Sequence, residues 1–147
     1  MKSHERTKAV QYIQVATGNE WEGGAQVERH RDTIGLYCDK NALSIACSFV
    51  DIGRVYRPKQ REGLRSALDA LRRGKAGMLV VPSLTHLSRS IAELLAIIAE
   101  NFGPSQPIGA LVSVADGIDT RTPQGRMALD VMRCLADLSL STRRAHA

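Results

Sequence analysis

The sequence predicts an α/β domain with a mainly parallel central sheet flanked by helices. Short, β-rich apolar runs alternate along the chain with segments whose apolar residues recur at helical spacing. A length of 147 residues suits one domain, and 44% hydrophobic residues are enough for a core. Aromatic residues make up only 4%, so the core must be built mainly from Leu, Ile, Val and Ala.

The first half of the chain is divided by apolar periodicity and by clusters of Gly and polar residues. A strand over residues 9–16 is predicted from its β-rich apolar run, and a helix over 25–41 from the helical spacing of Val27 and Ile34. In order, we expect a flexible arm (1–8), that strand, a loop (17–24), that helix, a strand (43–50) and an arginine-rich loop (51–61).

The second half begins with an amphipathic helix around Leu64 and Leu71, which Gly74 is placed to end. Ser90 is a candidate N-cap for a later helix. After this amphipathic helix we expect a strand (78–81), a helix that follows Ser90 and ends near Gly103, a strand (108–114), a loop (116–124), a long final helix (125–142) and a frayed tail (143–147). Nothing follows that helix, so we expect no second domain.

Charge and cysteine content limit the function classes. Twenty basic residues against fifteen acidic ones give a net charge of +5, which suits a polyanion partner without establishing one. Cys38, Cys47 and Cys134 form no CxxC pair, so we expect buried thiols rather than a disulfide framework or a zinc site. The four histidines show no metal-ligand spacing, and we expect neither a metal nor a cofactor. A polar N-terminus and the lack of a long apolar run predict a cytoplasmic protein without a membrane span.

Five blocks of sequence, in one order, carry a family resemblance. They are residues 12–16 (Tyr-Ile-Gln-Val-Ala, with Gln26 ten residues later), 49–53 (Phe-Val-Asp-Ile-Gly), 61–64, 79–90 and 116–127. Together they resemble the catalytic domain of the serine recombinases, the resolvase and invertase family. The resemblance implies that domain's fold over residues 9–142, with a long C-terminal helix. Because nothing follows that helix in the sequence, we expect the family's C-terminal DNA-binding domain to be absent.

The same blocks depart from the family pattern where its chemistry lies. The family's first strand reads Tyr-x-Arg-Val-Ser and its serine attacks DNA, whereas this chain has Gln14 and Ala16 at those two positions. A methyl group has no lone pair and cannot attack phosphorus. The family's Asp-Arg pair falls at Thr85 and His86, and its loop serine at Arg54. We therefore expect no catalytic residue at these degenerate positions.

Several arginines remain as candidates for a phosphate site, since forked guanidinium groups bind phosphate oxygens in pairs. The candidates for DNA-phosphate binding are Arg61, Arg89, Arg54 and Arg126. An alternative for Arg61 and Arg89 is that they hold loops through salt bridges to Asp51 or Asp116. Gln26 and Asp51 match polar positions of the family.

For two residues, one at a degenerate position and one beside it, a functional interpretation competes with a purely structural one. A protonated His86 could contact a phosphate, but its ordinary pKa of ~6.5 leaves it mostly neutral at pH 7. We expect it to face the surface without a function. Thr17, next to Ala16, is a candidate substitute nucleophile. Successive side chains of a strand point to opposite faces, however, so we expect Thr17 to point away.

The final helix carries Met127, Val131, Leu135 and Leu138 at spacings of four, four and three residues. The resemblance implies a dimer interface on this helix, and burial against the chain's own sheet is the alternative. Because the helix is apolar on more than one side, we favour association. The expected partner is a second copy or a related recombinase.

The function that we predict is that of a catalytically inactive serine-recombinase-like protein. It would act as an accessory or regulatory partner in DNA recombination or transcription, through self- or hetero-association. The alternatives are a divergent site-specific recombinase that still cleaves strands, a plain non-specific DNA-binding protein, and a decayed remnant without a selected role. Weak DNA contact is compatible with the accessory role and with the first two of these alternatives.

Overall fold

The computed structural model describes residues 6–16, 20–53, 61–104 and 106–145, and all of their side chains except those at positions 20 and 139–145. Five strands form one sheet in the order β2-β1-β3-β4-β5, with helices packed against it. The elements are β1 (Thr7–Val15), α1 (Glu20–Lys40), β2 (Leu43–Ile52), α2 (Glu62–Arg72), β3 (Met78–Val81), a short 3-10 helix (Leu84–His86), α3 (Ile91–Phe102), β4 (Ala110–Ser113), β5 (Ile118–Asp119) and α4 (Pro123–Ala145).

The pairing of the strands confirms the predicted mainly parallel sheet. Strand β1 pairs in parallel with both β2 and β3, and β3 pairs in parallel with β4. The short β5 runs antiparallel to β4 at the sheet edge. Parallel strands place their carboxyl ends along one edge of the sheet, which is where α/β folds assemble binding sites.

Strand β1 lies in the interior because helices cover both faces of the sheet. Its side chains alternate between two apolar clusters, as the two-residue period of a strand requires. Val10 and Tyr12 belong to the cluster that includes residues of α2, α3 and α4. Ile13 and Val15 belong to the cluster on the α1 side, together with Ile34.

Three boundaries in the first half of the chain differ from the predicted ones by two residues or more. Strand β2 ends at Ile52 and not at residue 50, so it takes the first two residues of the predicted loop. Strand β1 begins at Thr7, two residues earlier than expected, so the predicted arm contributes its last two residues to the sheet. Helix α1 begins at Glu20 and includes Gly23 and Gly24, which the sequence pattern assigns to a loop. Glycine costs roughly 1 kcal/mol in a helix interior, and the buried Val27 and Ile34 on the same helix offset that cost.

Two helix ends agree with the sequence signals. Gly74 follows α2 with φ at +73°, the left-handed conformation that favours glycine after a helix. The Ser90 hydroxyl accepts a hydrogen bond from the Glu93 main-chain N–H at 3.4 Å, so Ser90 caps α3 as predicted.

Helix α4 is longer than predicted at both ends. It starts at Pro123, where proline fits the first helical position, and the Thr122 hydroxyl accepts from the Gly125 N–H at 3.0 Å. At its other end, residues 143–145 are helical rather than frayed. Gly125 brings the helix against β5, since a Cβ there would lie 1.9 Å from the main-chain oxygen of Asp119.

None of the helices in the described ranges combines the length and apolarity that crossing a lipid bilayer requires.

The three cysteines are free thiols that differ in burial. Cys38 is buried, Cys47 is half-buried and Cys134 is exposed. The expectation of three buried thiols is therefore wrong for Cys134, which lies on the outer part of α4 and not in the core.

Candidate functional site

Of the degenerate positions that the structure describes, Gln14, Ala16 and His86 lie near the carboxyl ends of β1, β2 and β3, a region that we call the strand edge. In the register of β1 with β2, Gln14 lies opposite Asp51. The Gly53 N–H donates to the Val15 carbonyl at 2.8 Å, which continues this pairing to the end of both strands. Ala16 follows β1 directly and its methyl group is exposed.

Gln14 is held at the strand edge by both its main chain and its side chain. Its main-chain N–H donates to Nδ1 of His86 at 2.9 Å. Its amide Nε2 donates to the Gly53 carbonyl at 3.3 Å. The side chain at the family's arginine position therefore bridges two strands of its own sheet, and it carries no charge to offer a phosphate.

His86 is 7% exposed, which corrects the expectation that it faces the surface. The 3-10 helix turns its imidazole inward, where the ring meets His30 of α1 edge-on with centroids 4.5 Å apart. Burial, together with the nearby charges of His30, Arg61 and Arg89, lowers the pKa of His86 to about 4. Since Nδ1 accepts from Gln14, the neutral ring carries its proton on Nε2.

His30 is a member of this cluster that sequence reasoning did not identify. It lies on α1, far from the strand edge in sequence, and only the packing of α1 on the sheet brings the two rings together. Burial and the neighbouring charge of Arg29 lower the pKa of His30 below its ordinary value. Both imidazoles at the strand edge are therefore disposed to be neutral near pH 7.

Arg61 is 5% exposed, and its guanidinium is directed into the protein. Nη1 donates to the Leu87 carbonyl, and Nη2 donates to the carbonyl of His86 and to the Tyr12 hydroxyl. Glu93 is its ion-pair partner, at 3.8 Å from Nη1. In this conformation the guanidinium holds the segment around the 3-10 helix and does not pair with Asp51 or Asp116, the alternative partners. Its Nε is buried without a hydrogen-bond partner among the described residues, and the phosphate contact stays a prediction.

Asp51 and Tyr12 form the floor of the strand edge. The Tyr12 hydroxyl donates to Oδ2 of Asp51 at 2.7 Å, and the Asp51 carboxylate accepts from the N–H groups of Gly63 and Leu64 at 2.9 and 3.1 Å. Asp51 thereby supplies the negative charge that the start of α2 favours. Burial, followed by the hydrogen bond to Asp51, raises the pKa of Tyr12 far above its ordinary value. Tyr12 belongs to the first of the five sequence blocks, but its pattern alone did not predict this network.

The other degenerate and family-matching positions make local contacts. Thr85 is exposed, and its hydroxyl lies 2.7 Å from that of Ser83. Asp116 accepts from the Leu84 N–H and the Ser113 hydroxyl, which ties the 3-10 helix to the end of β4. Gln26 is half-exposed on α1. Two residues of the sequence argument, Arg54 and Thr17, lie outside the described residues.

A comparison with protein-family models identifies the family to which this chain belongs. The model of the family described as "Resolvase, N terminal domain" matches residues 9–146. The chain belongs to the resolvase family. Among curated proteins, none matches the chain.

Solved structures of recombinases share the fold of this resolvase domain. The N-terminal catalytic domain of TP901-1 integrase is 19% identical, with a TM-score of 0.77 over 92% of this chain and 98% of that one. A resolvase family site-specific recombinase from Streptococcus pneumoniae is 20% identical, with a TM-score of 0.72 over 96% and 93%. The C-terminal catalytic domain of ISC1926 TnpA, an IS607-like serine recombinase, is 14% identical with a TM-score of 0.54 over 88% and 99%.

Two of the predicted phosphate ligands of the resolvase domain are exposed. Arg89 lies just before α3, and Arg126 lies in the first turns of α4. Neither guanidinium forms an ion pair with another side chain in the described part of the chain. Among the predicted phosphate ligands that the structure describes, these two are the ones whose charge is left toward solvent.

The outer face of α4 is the second candidate region of the resolvase domain. It exposes four large apolar side chains, between 52% and 65%, although Leu129 on the opposite side of the same helix is buried against the sheet. We call this row the α4 stripe, which consists of Met127, Val131, Leu135 and Leu138. Monomeric proteins rarely expose a continuous apolar row of this kind, which is typical of an interaction surface.

Proposed function

We propose that this chain is a catalytically inactive serine-recombinase-like domain that acts as an accessory or regulatory partner in DNA recombination or transcription. It would do so by associating with itself or with a related recombinase. The observation that carries the proposal is the methyl group of Ala16, exposed at the carboxyl end of β1, where the family resemblance expects the attacking serine.

The surroundings of Ala16 support the loss of chemistry. Cleavage of a phosphodiester builds negative charge on phosphate oxygens, which fixed cations must stabilise. Gln14 is neutral and His86 is buried with a lowered pKa. The guanidinium of Arg61 donates to main-chain carbonyls and not toward solvent. These contacts occupy Gln14, His86 and the Nη groups of Arg61, so these three residues offer no free charge to a phosphate at Ala16.

The α4 stripe supports the role in association. Four large apolar side chains on one helix face are removed from water only when another surface covers them. The stripe lies on the side of α4 away from the sheet and does not use the strand edge. A partner can therefore bind α4 without any catalysis by this chain.

A cleavage assay and a size measurement together test the proposal. The native chain, incubated with a random duplex library and denatured, should form no covalent protein–DNA adduct. Multi-angle light scattering should show a dimer, or a mixed species with an active serine recombinase. An adduct formed by the native chain would refute the inactive interpretation. A monomer at high concentration that also forms no mixed species would refute the association.

Non-specific DNA binding is a second candidate function. It is favoured by the exposed guanidinium groups of Arg89 and Arg126 and by the net charge of +5. Removing one phosphate-binding cation should reduce the slope of log affinity against log salt by about 1. The double variant Arg89→Gln/Arg126→Gln should therefore lower the slope by about 2, whereas Arg31→Gln on α1 should leave it unchanged. Equal slopes in all three proteins would reject a role of these two arginines in DNA binding.

A further inference from the structure

A cavity lies between α3, the start of β4 and α4, apart from both the strand edge and the α4 stripe. Its volume is about 430 Å³, within the range of about 300–1,000 Å³ in which proteins bind small organic molecules. Among the described residues that line it are neither Ala16 nor any member of the α4 stripe. The cavity is therefore a separate candidate site.

The inner wall of this cavity is apolar. It includes the buried side chains of Ile98 and Phe102 on α3 and of Leu129 on α4. On the side of the sheet, Gly109 and Ala110 line the cavity with little more than main chain, which leaves the space unfilled. An aryl or alkyl group that replaces water against such a wall gains free energy.

The mouth of the cavity carries positive charge. Arg126 and Arg133 both line it, and because they are seven residues apart they project from the same side of α4. Both side chains are exposed. Their guanidinium groups therefore lie where the cavity meets solvent, and an anionic end of a bound molecule would lie beside them.

One carboxylate, that of Asp130, also lines the cavity and offsets part of this charge. It lies 3.8 Å from the Arg133 guanidinium, as an exposed ion pair. Arg126 forms no ion pair with the side chains that the structure describes. Two guanidinium groups against one carboxylate leave one positive charge uncompensated, and Arg126 is the residue that carries it.

Thr120 adds a hydrogen-bond donor on the sheet side of the cavity. Its hydroxyl oxygen accepts from the Leu111 N–H at 2.8 Å. A hydroxyl that accepts in this way still has its own proton to donate. The cavity thus combines an apolar wall with a few polar groups, as sites for small organic molecules do.

We propose that this cavity binds a small organic acid, with its aryl or short alkyl body against the apolar wall and its carboxylate on Arg126. A bare anion would leave the wall in water, and a neutral apolar molecule would cover the guanidinium without pairing its charge. The inference goes beyond the proposed function and does not rest on it, because the two use different residues. Either can fail while the other stands.

Three probes test this inference on the full-length chain: phenylbutyrate, the neutral phenylbutyramide of nearly the same shape, and acetate. In an NMR titration, phenylbutyrate should shift the main-chain amide signals of Gly103 and Gly109, which line the cavity. It should bind about tenfold more tightly than phenylbutyramide, because only the acid forms a charge-assisted hydrogen bond. Acetate lacks the apolar body and should bind at least about tenfold more weakly than phenylbutyrate.

Variants of the chain separate the two charges at the mouth. Arg126→Gln should weaken binding of phenylbutyrate about tenfold and leave binding of phenylbutyramide unchanged. Asp130→Asn should tighten binding of phenylbutyrate about two- to threefold, because it removes the carboxylate that offsets Arg133. Arg65→Gln on α2 is the matched control. Arg65 is also exposed and without an ion pair among the described side chains, but it does not line the cavity.

Several results would overturn the inference. Equal affinities for phenylbutyrate and phenylbutyramide would show that no guanidinium selects the ligand. Acetate binding as tight as that of phenylbutyrate would show that the apolar wall is unused. Absence of binding by all three probes, or signal shifts confined to the α4 stripe, would reject this cavity as the site. An equal loss of affinity in Arg65→Gln and Arg126→Gln would mean that the net charge, and not Arg126, attracts the acid.

Discussion

The strand edge and the α4 stripe differ in which side chains they bury and which they expose to water. At the strand edge, polar groups are turned inward and bonded to one another: Gln14 to His86, and Arg61 to the main chain of the 3-10 helix. On α4, apolar groups of the size that normally forms a core are left in water. Groups that already hydrogen-bond to one another have little to offer a ligand, whereas an exposed apolar face gains free energy when it is covered. The difference directs the search for function from the strand edge to α4.

The comparison predicts the largest effect for Arg61. Arg61→Ala removes the donors of the Leu87 and His86 carbonyls, which then stay buried without partners. We expect a loss of about 3 kcal/mol in the free energy of unfolding, measured by urea denaturation. The exposed Arg89→Ala should change it by less than about 0.5 kcal/mol. Near-equal stabilities of the two variants would show that Arg61 does not hold the strand edge closed.

The second prediction concerns the anchoring of α4. In Gly125→Ala the new Cβ would lie 1.9 Å from the Asp119 main-chain oxygen, and neither backbone can move cheaply. We expect a loss of about 2 kcal/mol in the free energy of unfolding. The matched control is Gly24→Ala in α1, where nothing lies within 4 Å and alanine should add roughly 0.5–1 kcal/mol. A stable Gly125→Ala variant would mean that α4 does not depend on this contact with β5.

The third prediction uses the pH dependence of stability. Between pH ~6.5 and pH 4 the unfolded chain binds a proton at His86 that the folded chain does not, because the pKa of His86 in the fold is about 4. Stability should therefore fall as the pH falls through this window, by about 2 kcal/mol at pH ~4.5. Urea denaturation at several pH values should show this fall in the free energy of unfolding for the native chain and a smaller fall for His86→Leu. If the two proteins showed the same pH dependence, the His86 imidazole would have its ordinary pKa in the fold, as a solvent-exposed ring does.

The smallest effect on stability is expected at the α4 stripe. Val131→Ser/Leu135→Gln changes side chains that are already exposed, so the free energy of unfolding of the monomer should change by less than about 0.5 kcal/mol. Association, measured by light scattering at the same concentrations, should nevertheless disappear. A large loss of monomer stability would indicate that these side chains pack within their own chain, and the contrast between the two regions would no longer hold.

The sequence was most informative where a signal is local. The strand at Met78–Val81 matches its predicted bounds, because a short apolar run between polar segments needs no distant information. The start of α1 was missed because Gly23 and Gly24 indicate a loop by composition, while the packing of the helix overrides that preference. Strand β5 was missed since two residues carry no readable period, and their pairing depends on β4.

For the candidate site, residue identities were readable but their environments were not. The sequence identified Gln14, Ala16 and His86 as degenerate positions. It did not predict that His86 is buried against His30, because the two residues are brought together only by the packing of α1 on the sheet. The buried tyrosine at position 12 was the one available hint of the network with Asp51, since a buried hydroxyl needs a partner.

By itself, the sequence determined the α/β class, the order of most elements and the apolar row on the last helix, because hydrophobic periodicity is written in neighbouring residues. Only the tertiary structure decided that Arg61 points inward, that His86 is buried and that the α4 stripe stays exposed. The physical reason is that burial and hydrogen bonding depend on which distant segments meet. A side chain's charge or apolarity is the same in either place, and its surroundings decide what it can bind.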